Sequence, residues 1–194
     1  TINDISVEIA RAVGYNNIDT DAAKERGITI TNTPGVLTDT VAEHAMGMII
    51  SIAQRIPEAD RFTRAGKYDG WAPMLFLGSD LKGKTLGVLG AGRIGTRVAE
   101  IAHRGFDMNI VYYDIQQSEF IEKNANGSFR STVDEVLKEA DVVSVHVPLL
   151  DSTKHLMNAE RLAMMKNSAY LVNTSRGPVI DEAALVTALQ DGTI

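Results

Sequence analysis

The sequence predicts an α/β protein built on a doubly wound parallel sheet, and three observations support that fold. Short β-rich runs alternate with helical patterns in the second part of the chain, as in "TLGVLG" followed by "RIGTRVAEIAHRG". Within "DVVSVHVP" and "AYLVNTS", the stretches 142–145 and 170–172 are nearly continuously apolar, which is typical of parallel strands covered by helices on both faces. Helix signals also fit: Thr132 with Glu135 forms a capping box, Asp181 can cap the last helix, and Gly105 and Gly192 are expected to end helices.

Upstream of these units, "TDTVAEHAMGMIISIAQRI" predicts one long helix. Thr40 and Glu43 form a capping box at its start, and Pro57 is expected to kink or interrupt it. One stripe of the helix is expected to be buried, with these members: Val41, Ala45, Met48, Ile49, Ile52, Ala53 and Ile56.

The segment "RAGKYDGWAPMLFLGSDLKG" combines turn residues with a large apolar load at positions 71–77. A free loop would not keep so many large apolar side chains in water. Either this segment folds back on its own core or it docks on another subunit.

The composition limits the classes of partner and site that are expected. The 194 residues carry a net charge of −6 and show no basic cluster, so no nucleic-acid partner is expected. The longest mainly apolar stretch, "AMGMIISIA", is too short to span a bilayer, and "TINDISVEIA" lacks a basic leader, so neither a membrane partner nor a signal peptide is expected. The absence of cysteine excludes thiolate metal sites and fits a reducing compartment, so we expect a cytoplasmic protein without a metal site.

A glycine-rich turn carries the first functional signal. Gly90, Gly92 and Gly95 form a G-x-G-x-x-G pattern between a strand and a helix, and Arg93 and Ile94 open that helix. Such glycines allow a tight turn, let backbone approach a pyrophosphate and let helix and strand pack closely, and helix N–H groups then face the phosphates. A structural turn is the plainer interpretation, and Arg93 either flanks the pyrophosphate or is solvated.

Asp114 favours the dinucleotide interpretation. It ends the next strand, 19 residues after Gly95, where an acid meets the adenosine ribose in a Rossmann NAD-binding domain. The alternative is a cap at the strand end. The carboxylate would repel a 2′-phosphate, and the following "IQQS" offers no arginine to receive one, so NAD is expected rather than NADP.

Two further strands end in polar side chains that are expected to reach the same cleft. Ligands of doubly wound sheets bind outside the carboxyl ends of the strands. The first end contributes His146, Val147 and Pro148, and the second contributes Thr174, Ser175 and Arg176. The fork of Arg176 suits a carboxylate, and its charge would stabilise an oxygen that becomes negative as hydride arrives at carbon. By position alone, a surface arginine is an equal alternative.

Several long motifs now occur in a familiar order: "VGYNNID", "TNTPGVLTDTVAEHA", "LKGKTLGVLGAGRIG", "VSVHVPLLDST" and "LVNTSRGPVIDEAALVTAL". From residue 12 onward, the sequence resembles the D-isomer-specific 2-hydroxyacid dehydrogenases, most closely their glyoxylate/hydroxypyruvate reductase branch. The resemblance implies an NAD-dependent oxidoreductase that transfers a hydride between the nicotinamide and a small 2-oxo or 2-hydroxy acid.

The same resemblance assigns roles to individual residues. Arg176 would bind and polarise the 2-oxo acid as the catalytic residue, and the amides of Val13 and Gly14 would grip its carboxylate. Thr153 would contact the cofactor, and Trp71 would reach the substrate of the neighbouring subunit. Since the family dimerises through the apolar segment, a homodimer is expected.

The sequence departs from the family at both ends. The glutamate and the histidine that form the family's acid/base pair belong to segments that follow "DGTI", and neither is present, so we expect a piece of a longer protein. Residues 1–37 are expected to be part of a flavodoxin-like substrate domain, in which "TINDISVEIA" resembles a helix rather than a strand. Residues 38–194 are expected to form the NAD-binding domain, with hinge helix and dimer arm, incomplete at its C-terminal end.

Three alternatives to a glyoxylate or hydroxypyruvate reductase remain at this point. The first keeps the scaffold but changes the substrate, as in 3-phosphoglycerate, phosphite or formate dehydrogenases. The second is an NAD-sensing binding protein like the corepressors built on this scaffold. The third is a fragment that binds NAD weakly and catalyses nothing.

Overall fold

A computed structural model describes residues 7–9 and 13–194, and it contains two parallel sheets. The smaller sheet pairs β1 (Val7–Ile9) with β2 (Thr29–Thr31), and helix α1 (Thr20–Glu25) connects the two. The larger sheet has five parallel strands in the order β5-β4-β3-β6-β7. Its strands are β3 (Thr85–Leu89), β4 (Asn109–Tyr113), β5 (Ser128–Phe129), β6 (Val142–Val145) and β7 (Tyr170–Asn173).

Helices cover both faces of the larger sheet. They are α2 (Thr38–Ala53), α4 (Arg93–Phe106), α5 (Glu119–Ala125), α6 (Val133–Glu139), α7 (Ala159–Met164) and α8 (Glu182–Gln190). A further helix, α3 (Ile56–Arg64), follows α2 and has no buried residue. Helices α2, α4 and α5 share one apolar core with the sheet, and α6, α7 and α8 share another. The predicted doubly wound parallel sheet is therefore confirmed. No helix of the described residues is long and apolar enough to cross a membrane.

The strand order places a crevice at one edge of the sheet. The chain runs from β3 to β4 on one side and then crosses to β6 on the other, so the connections leaving β3 and β6 diverge. Such a switch point opens a crevice at the carboxyl ends of the strands, which is where ligands bind in open α/β sheets. The turn from β3 to α4 and the segments after β6 and β7 all lie there.

The expectation of a helix in "TINDISVEIA" was wrong for Val7–Ile9. The segment that resembled a helix contains β1, whose three residues pair in parallel with β2, Val7 opposite Thr29. Pairing with a strand that is distant in sequence supplies hydrogen bonds that local helical preference does not anticipate. The rest of that prediction lies outside the described residues.

The predicted long helix is confirmed as α2, but α2 ends at Ala53, earlier than predicted, and α3 begins at Ile56. Arg55 between them has a φ of +55°, and Pro57 lies in the first turn of α3, where a proline does no harm. Leu37 rather than Thr40 is the N-cap of α2, and no side chain caps this end. The buried residues of α2 are Ala42, Ala45, Met46, Ile49 and Ala53, so the true stripe is rotated from the predicted one.

The other helix signals had mixed outcomes. Thr132 and Asp181 cap α6 and α8 as predicted, through bonds from the amides of Glu135 and Ala184. Gly192, with a φ of +69°, directly follows the C-cap of α8, whereas Gly105 lies inside α4. Asp107 ends α4 instead, in the left-handed region at a φ of +51°.

The apolar segment after α3 does not fold back as a whole. Trp71 is 83% exposed and Met74 76% exposed, while Phe76 packs edge-on against Phe62 and beneath the guanidinium of Arg55. Of the two sequence alternatives, burial on the chain's own core is therefore wrong for most of this segment.

Candidate active site

A cavity of about 530 Å³ lies at the switch point of the larger sheet. That size suits a small-molecule ligand or one end of a dinucleotide. Five parts of the chain form it: the loop before α1, the start of α2, the turn after β3, the segment after β6 and the segment after β7. Its lining residues are Val13–Asn16, Gly35, Thr38, Gly92–Gly95, His146–Leu150 and Thr174–Arg176.

The glycine turn is shaped by close backbone contacts. Gly90 has a φ of +98°, and a Cβ there would lie 2.9 Å from the carbonyl carbon of His146. A Cβ on Gly95 would collide with the carbonyl oxygen of Gly90, so only glycine lets α4 begin this close to β3. At Gly92, by contrast, a Cβ would meet nothing within 4 Å. The open side at Gly92 borders the cavity and leaves room for a ligand to approach the backbone.

The N-terminus of α4 points its first amides into this space. Gly92 is the N-cap residue, and no side chain caps the helix there. The free N–H groups of the first turn and the positive end of the helix dipole favour an anion. Arg93 is exposed at the same point, close to Gly35, and adds a full positive charge to the cavity wall.

Asp114 directly follows β4, beside the glycine turn but outside the cavity lining. Its Oδ2 accepts a hydrogen bond of 2.7 Å from the amide of Ala91, and its Oδ1 accepts one of 2.6 Å from the amide of Ile115. The carboxylate therefore fastens the glycine turn to the end of β4. Each carboxylate oxygen has a second lone pair, so these bonds leave acceptor capacity for a hydroxyl donor.

His146 bridges the ends of two neighbouring strands at the cavity. Its Nε2 lies 2.8 Å from the hydroxyl of Ser144, which is fully buried, and its Nδ1 lies 3.4 Å from the hydroxyl of Thr174. Burial lowers the pKa of His146 to about 4, so the imidazole is neutral at physiological pH. A neutral ring can donate from one nitrogen and accept at the other.

Arg176 reaches from the end of β7 to the loop before α1. Its Nε donates to Asn16 Oδ1 at 2.9 Å, and its Nη1 donates to the carbonyl oxygen of Ser175 at 2.9 Å. Its Nη2 lies against Gly14, where any Cβ would collide with it, and has no hydrogen-bond partner among residues 13–194. The guanidinium is thus held by two bonds while one corner faces the cavity.

Most of the predicted site residues line this cavity. They are Val13, Gly14, Gly92, Arg93, Ile94, Gly95, His146, Val147, Pro148, Thr174, Ser175 and Arg176. Gly90 and Asp114 lie behind the lining, as described above. The hydroxyl of Thr153 instead accepts a bond of 2.8 Å from the amide of Leu150 and stabilises that turn, and Trp71 is outside the cavity.

Six lining residues were missed by the sequence analysis: Tyr15, Asn16, Gly35, Thr38, Leu149 and Leu150. All six belong to the quoted motifs "VGYNNID", "TNTPGVLTDT" and "VSVHVPLLDST", so the motifs themselves could have indicated these residues. Contacts such as Asn16 with Arg176, which are 160 residues apart, need the folded chain. Among the described residues, no group of three or more His, Asp or Glu is arranged to hold a metal ion.

One known protein family matches most of the chain. The sequence pattern of the D-isomer specific 2-hydroxyacid dehydrogenase, NAD binding domain, matches residues 46–194. The chain therefore belongs to this family.

Individual relatives cover nearly all of the chain. A peroxisomal glycerate dehydrogenase of Arabidopsis thaliana is 52% identical over 93% of this chain and 50% of its own length. A glyoxylate reductase of Aeropyrum pernix is 48% identical over 94% of this chain and 55% of its own. The crystal structure of a D-lactate dehydrogenase of Aquifex aeolicus, complexed with NAD and lactic acid, is 36% identical, with a TM-score of 0.86 over 97% of this chain and 55% of that one. The chain spans about half the length of the relatives it matches.

Proposed function

We propose that this chain supplies the cofactor-binding part of an NADH-dependent reductase of small 2-oxo acids. In this proposal residues 38–194 form the NAD-binding domain, and residues 1–37 belong to the substrate domain. The cavity between the glycine turn and the loop before α1 is then the cleft in which cofactor and acid meet. The guanidinium of Arg176 at that junction is the observation that carries the proposal.

The chemistry of the glycine turn fits a dinucleotide. Gly92 leaves open space beside the free amides of α4, and Arg93 adds a positive charge, so a pyrophosphate would be held there. Asp114, already fastened to the turn, would accept hydrogen bonds from the adenosine ribose. His146, Val147, Pro148, Thr174 and Ser175 would line the nicotinamide end, and Thr153 would hold the turn that carries Leu150. When bound, NADH supplies the hydride that reduces C2 of the 2-oxo acid.

The chain's own residues would orient and polarise the acid. Neither Val13 nor Gly14 uses its N–H in a hydrogen bond within residues 13–194, so both amides are available to the substrate carboxylate. Val13 itself is fixed, because its carbonyl accepts a bond of 2.8 Å from Asn32. The free corner of Arg176 would then bind the carbonyl oxygen and stabilise its developing negative charge. Of the four histidines, only His146 lines the cavity, and its neutral ring is not suited to donate a proton at pH 7.

Glyoxylate and hydroxypyruvate are the proposed substrates. The names of the glyoxylate reductase and glycerate dehydrogenase relatives support this choice, since hydroxypyruvate is the 2-oxo acid that corresponds to glycerate. The carboxylate of Asp114 supports NADH rather than NADPH, because a negative side chain at the ribose disfavours a 2′-phosphate.

Steady-state assays of the full-length protein that contains this sequence test the proposal. NADH oxidation is followed at 340 nm with glyoxylate and hydroxypyruvate, and in parallel NAD reduction is followed with 3-phosphoglycerate, phosphite and formate. We expect turnover with the first two acids. Turnover only with one of the other three would reassign the substrate, and NADH binding without any turnover would indicate an NAD-sensing protein.

We further propose that the protein is a homodimer. The arm at residues 71–77 exposes Trp71 and Met74 almost fully and Leu77 by 54%, and so large an apolar surface favours a second subunit. Trp71 lies outside the cleft of its own chain. In a dimer it would reach the cleft of the neighbouring subunit.

We propose a cytoplasmic location, because a chain without cysteine suits a reducing compartment. The Arabidopsis relative carries the word peroxisomal in its name, so the two compartments are the alternatives to compare. Fluorescence microscopy of the tagged full-length protein distinguishes them.

A further inference from the structure

The loop that follows Asp114 is fastened by one carboxylate that lies outside the cleft. Tyr112 of β4 donates its phenolic O–H to Glu122 Oε1 at 2.9 Å, and Gln117 Nε2 donates to the same oxygen at 2.7 Å. The phenolic oxygen of Tyr112 also accepts the amide of Ser118 at 2.9 Å. Glu122, in α5, therefore joins the strand, the helix and the loop at residues 115–118.

Tyr112 is the hydrogen-bond donor of its pair with Glu122. Tyr112 is fully buried, and burial, followed by the influence of Glu122 and Asp114, raises the pKa of its phenol. The phenol is therefore protonated and donates, which leaves the acceptor role to Glu122. Two negative side chains, Asp114 at the start of the loop and Glu122 beyond it, consequently flank residues 115–118.

This arrangement bears on which dinucleotide the site takes. A 2′-phosphate on the adenosine ribose needs cationic or N–H donors, and residues 115–118 contain neither lysine nor arginine. The side-chain amide of Gln117 is a donor that could serve a phosphate, but one of its two N–H groups is bonded to Glu122, and this bond fixes the orientation of the amide. Glu122 thus engages one of the two N–H donors of Gln117 and adds a negative charge beside the loop.

We propose that Glu122 is a positioning residue that makes this site select a dinucleotide without a 2′-phosphate, by holding the loop after Asp114 and engaging Gln117. The inference rests on the proposed function, since it assigns the adenosine end of NADH to Asp114. It adds a second determinant of cofactor choice, one that does not touch the cofactor.

Fluorescence titration of the full-length protein with NADH and, separately, NADPH tests the inference. We expect Glu122→Gln to weaken NADH binding about two- to tenfold, the change in Kd that one net hydrogen bond produces. We expect NADPH binding to stay the same or to tighten, so that the preference for NADH falls. A role limited to stability would not change this ratio, and thermal unfolding of the variant identifies such a role.

Glu119→Gln is the matched control, because Glu119 is exposed on the same helix and its substitution removes the same charge. It is expected to leave both Kd values within about twofold of the wild type. Tyr112→Phe is the second variant if Glu122→Gln does not fold. It breaks the tether but keeps the carboxylate, so NADH binding is expected to weaken while NADPH gains less than in Glu122→Gln.

The outcomes separate the two proposals. Binding of neither dinucleotide by the wild type would overturn the proposed function and this inference with it. Binding of NADH by the wild type, with the same NADH-to-NADPH ratio in Glu122→Gln and Glu119→Gln, would overturn this inference alone.

Discussion

Gly95 lies where the first turn of α4 touches the carbonyl oxygen of Gly90. A methyl group at this position would meet a backbone oxygen, which cannot move aside as a side chain can. Helix and turn would have to separate, and the amides that border the cavity would move with them. The position of the anion-binding end of α4 therefore depends on Gly95 having no side chain.

Gly95→Ala is expected to weaken NADH binding by at least about tenfold and to lower the free energy of unfolding by about 1–3 kcal/mol. Gly105→Ala is the control on the same helix, where a Cβ meets nothing within 4 Å. It is expected to raise the free energy of unfolding by about 0.5–1 kcal/mol and to leave NADH binding unchanged. Fluorescence titration and urea denaturation measure both. Normal NADH binding by Gly95→Ala would contradict the proposed phosphate site.

His146 is expected to make the stability of the fold sensitive to acid. The unfolded chain takes up this proton near pH 6.5, whereas the folded chain resists it until about pH 4. The stability that the neutral ring contributes is therefore complete above pH 6.5 and is lost as the pH falls towards 4. The difference amounts to about 3 kcal/mol at most.

Urea denaturation between pH 7 and pH 4.5 tests this expectation. His146→Gln keeps a polar group but does not titrate, so it is expected to lose less stability over this range than the wild type. His44→Gln, at an exposed position of α2, is expected to follow the wild type. Parallel pH profiles for the wild type and His146→Gln would show that the ring does not control acid stability.

At the scale of the elements, Asp141 joins the amino-terminal ends of the central strands. Its Oδ2 accepts the amide of Thr85, the first residue of β3, at 2.8 Å, and its Oδ1 lies 2.9 Å from Lys166 Nζ. Burial alone would raise the pKa of Asp141, but the bonds from Thr85 and Lys166 outweigh it and hold that pKa below its usual value. The carboxylate is therefore bound as an anion between β3, β6 and β7.

Asp141→Asn is expected to lower the free energy of unfolding by about 1–3 kcal/mol at pH 7, because it weakens a charge-assisted bond and leaves Lys166 without its anionic partner. Since the folded pKa is lowered, the stabilisation by Asp141 is complete above the ordinary carboxylate range and fades as the pH falls through it. Thermal denaturation at pH 7 and pH 3 measures this, with exposed Asp151→Asn as the control. Equal losses of stability in the two variants would show that Asp141 does not stabilise the fold through these bonds.

The elements also show what sequence can and cannot predict. Strands such as β3 and β6 were evident because burial on both faces leaves a continuous apolar run. Two short elements were not: β5 has two residues, too few for a periodic pattern, and the seven-residue α5 lacks a side-chain cap like the one that marks the equally short α6. The break at Arg55 was placed at Pro57 because a left-handed residue other than glycine leaves no clear signal in sequence. Asn16 was missed because its contact with Arg176 exists only in the folded chain.

At the scale of the whole molecule, the arm at residues 71–77 is the main apolar surface without a partner in the described structure. Trp71→Ser combined with Met74→Ser is expected to convert the proposed dimer to monomers, because each side chain would otherwise bury a large apolar area between subunits. Sedimentation velocity measures the change. Phe120→Ser, at a 65% exposed position on α5, is the control and is expected to remain dimeric. A monomeric wild type would contradict the proposed assembly.

The cleft itself is a property of the whole molecule, because it exists only where the switch point, the start of α2 and the loop before α1 come together. Arg176 connects these parts, because it lies in the segment after β7, donates a hydrogen bond to Asn16 and lies against Gly14. Without Arg176, we expect the cleft still to bind NADH but no longer to bind the 2-oxo acid tightly.

The most direct test is therefore the binding of oxamate, an unreactive analogue of a 2-oxo acid, to the NADH complex of the full-length protein and of its Arg176→Ala variant. We expect NADH to bind both proteins with Kd values within about twofold, and oxamate to bind the variant about ten- to a hundredfold more weakly, since a bound carbonyl loses a charged partner. Equal oxamate binding by both proteins would contradict the assignment of the cleft, and with it the proposed reductase.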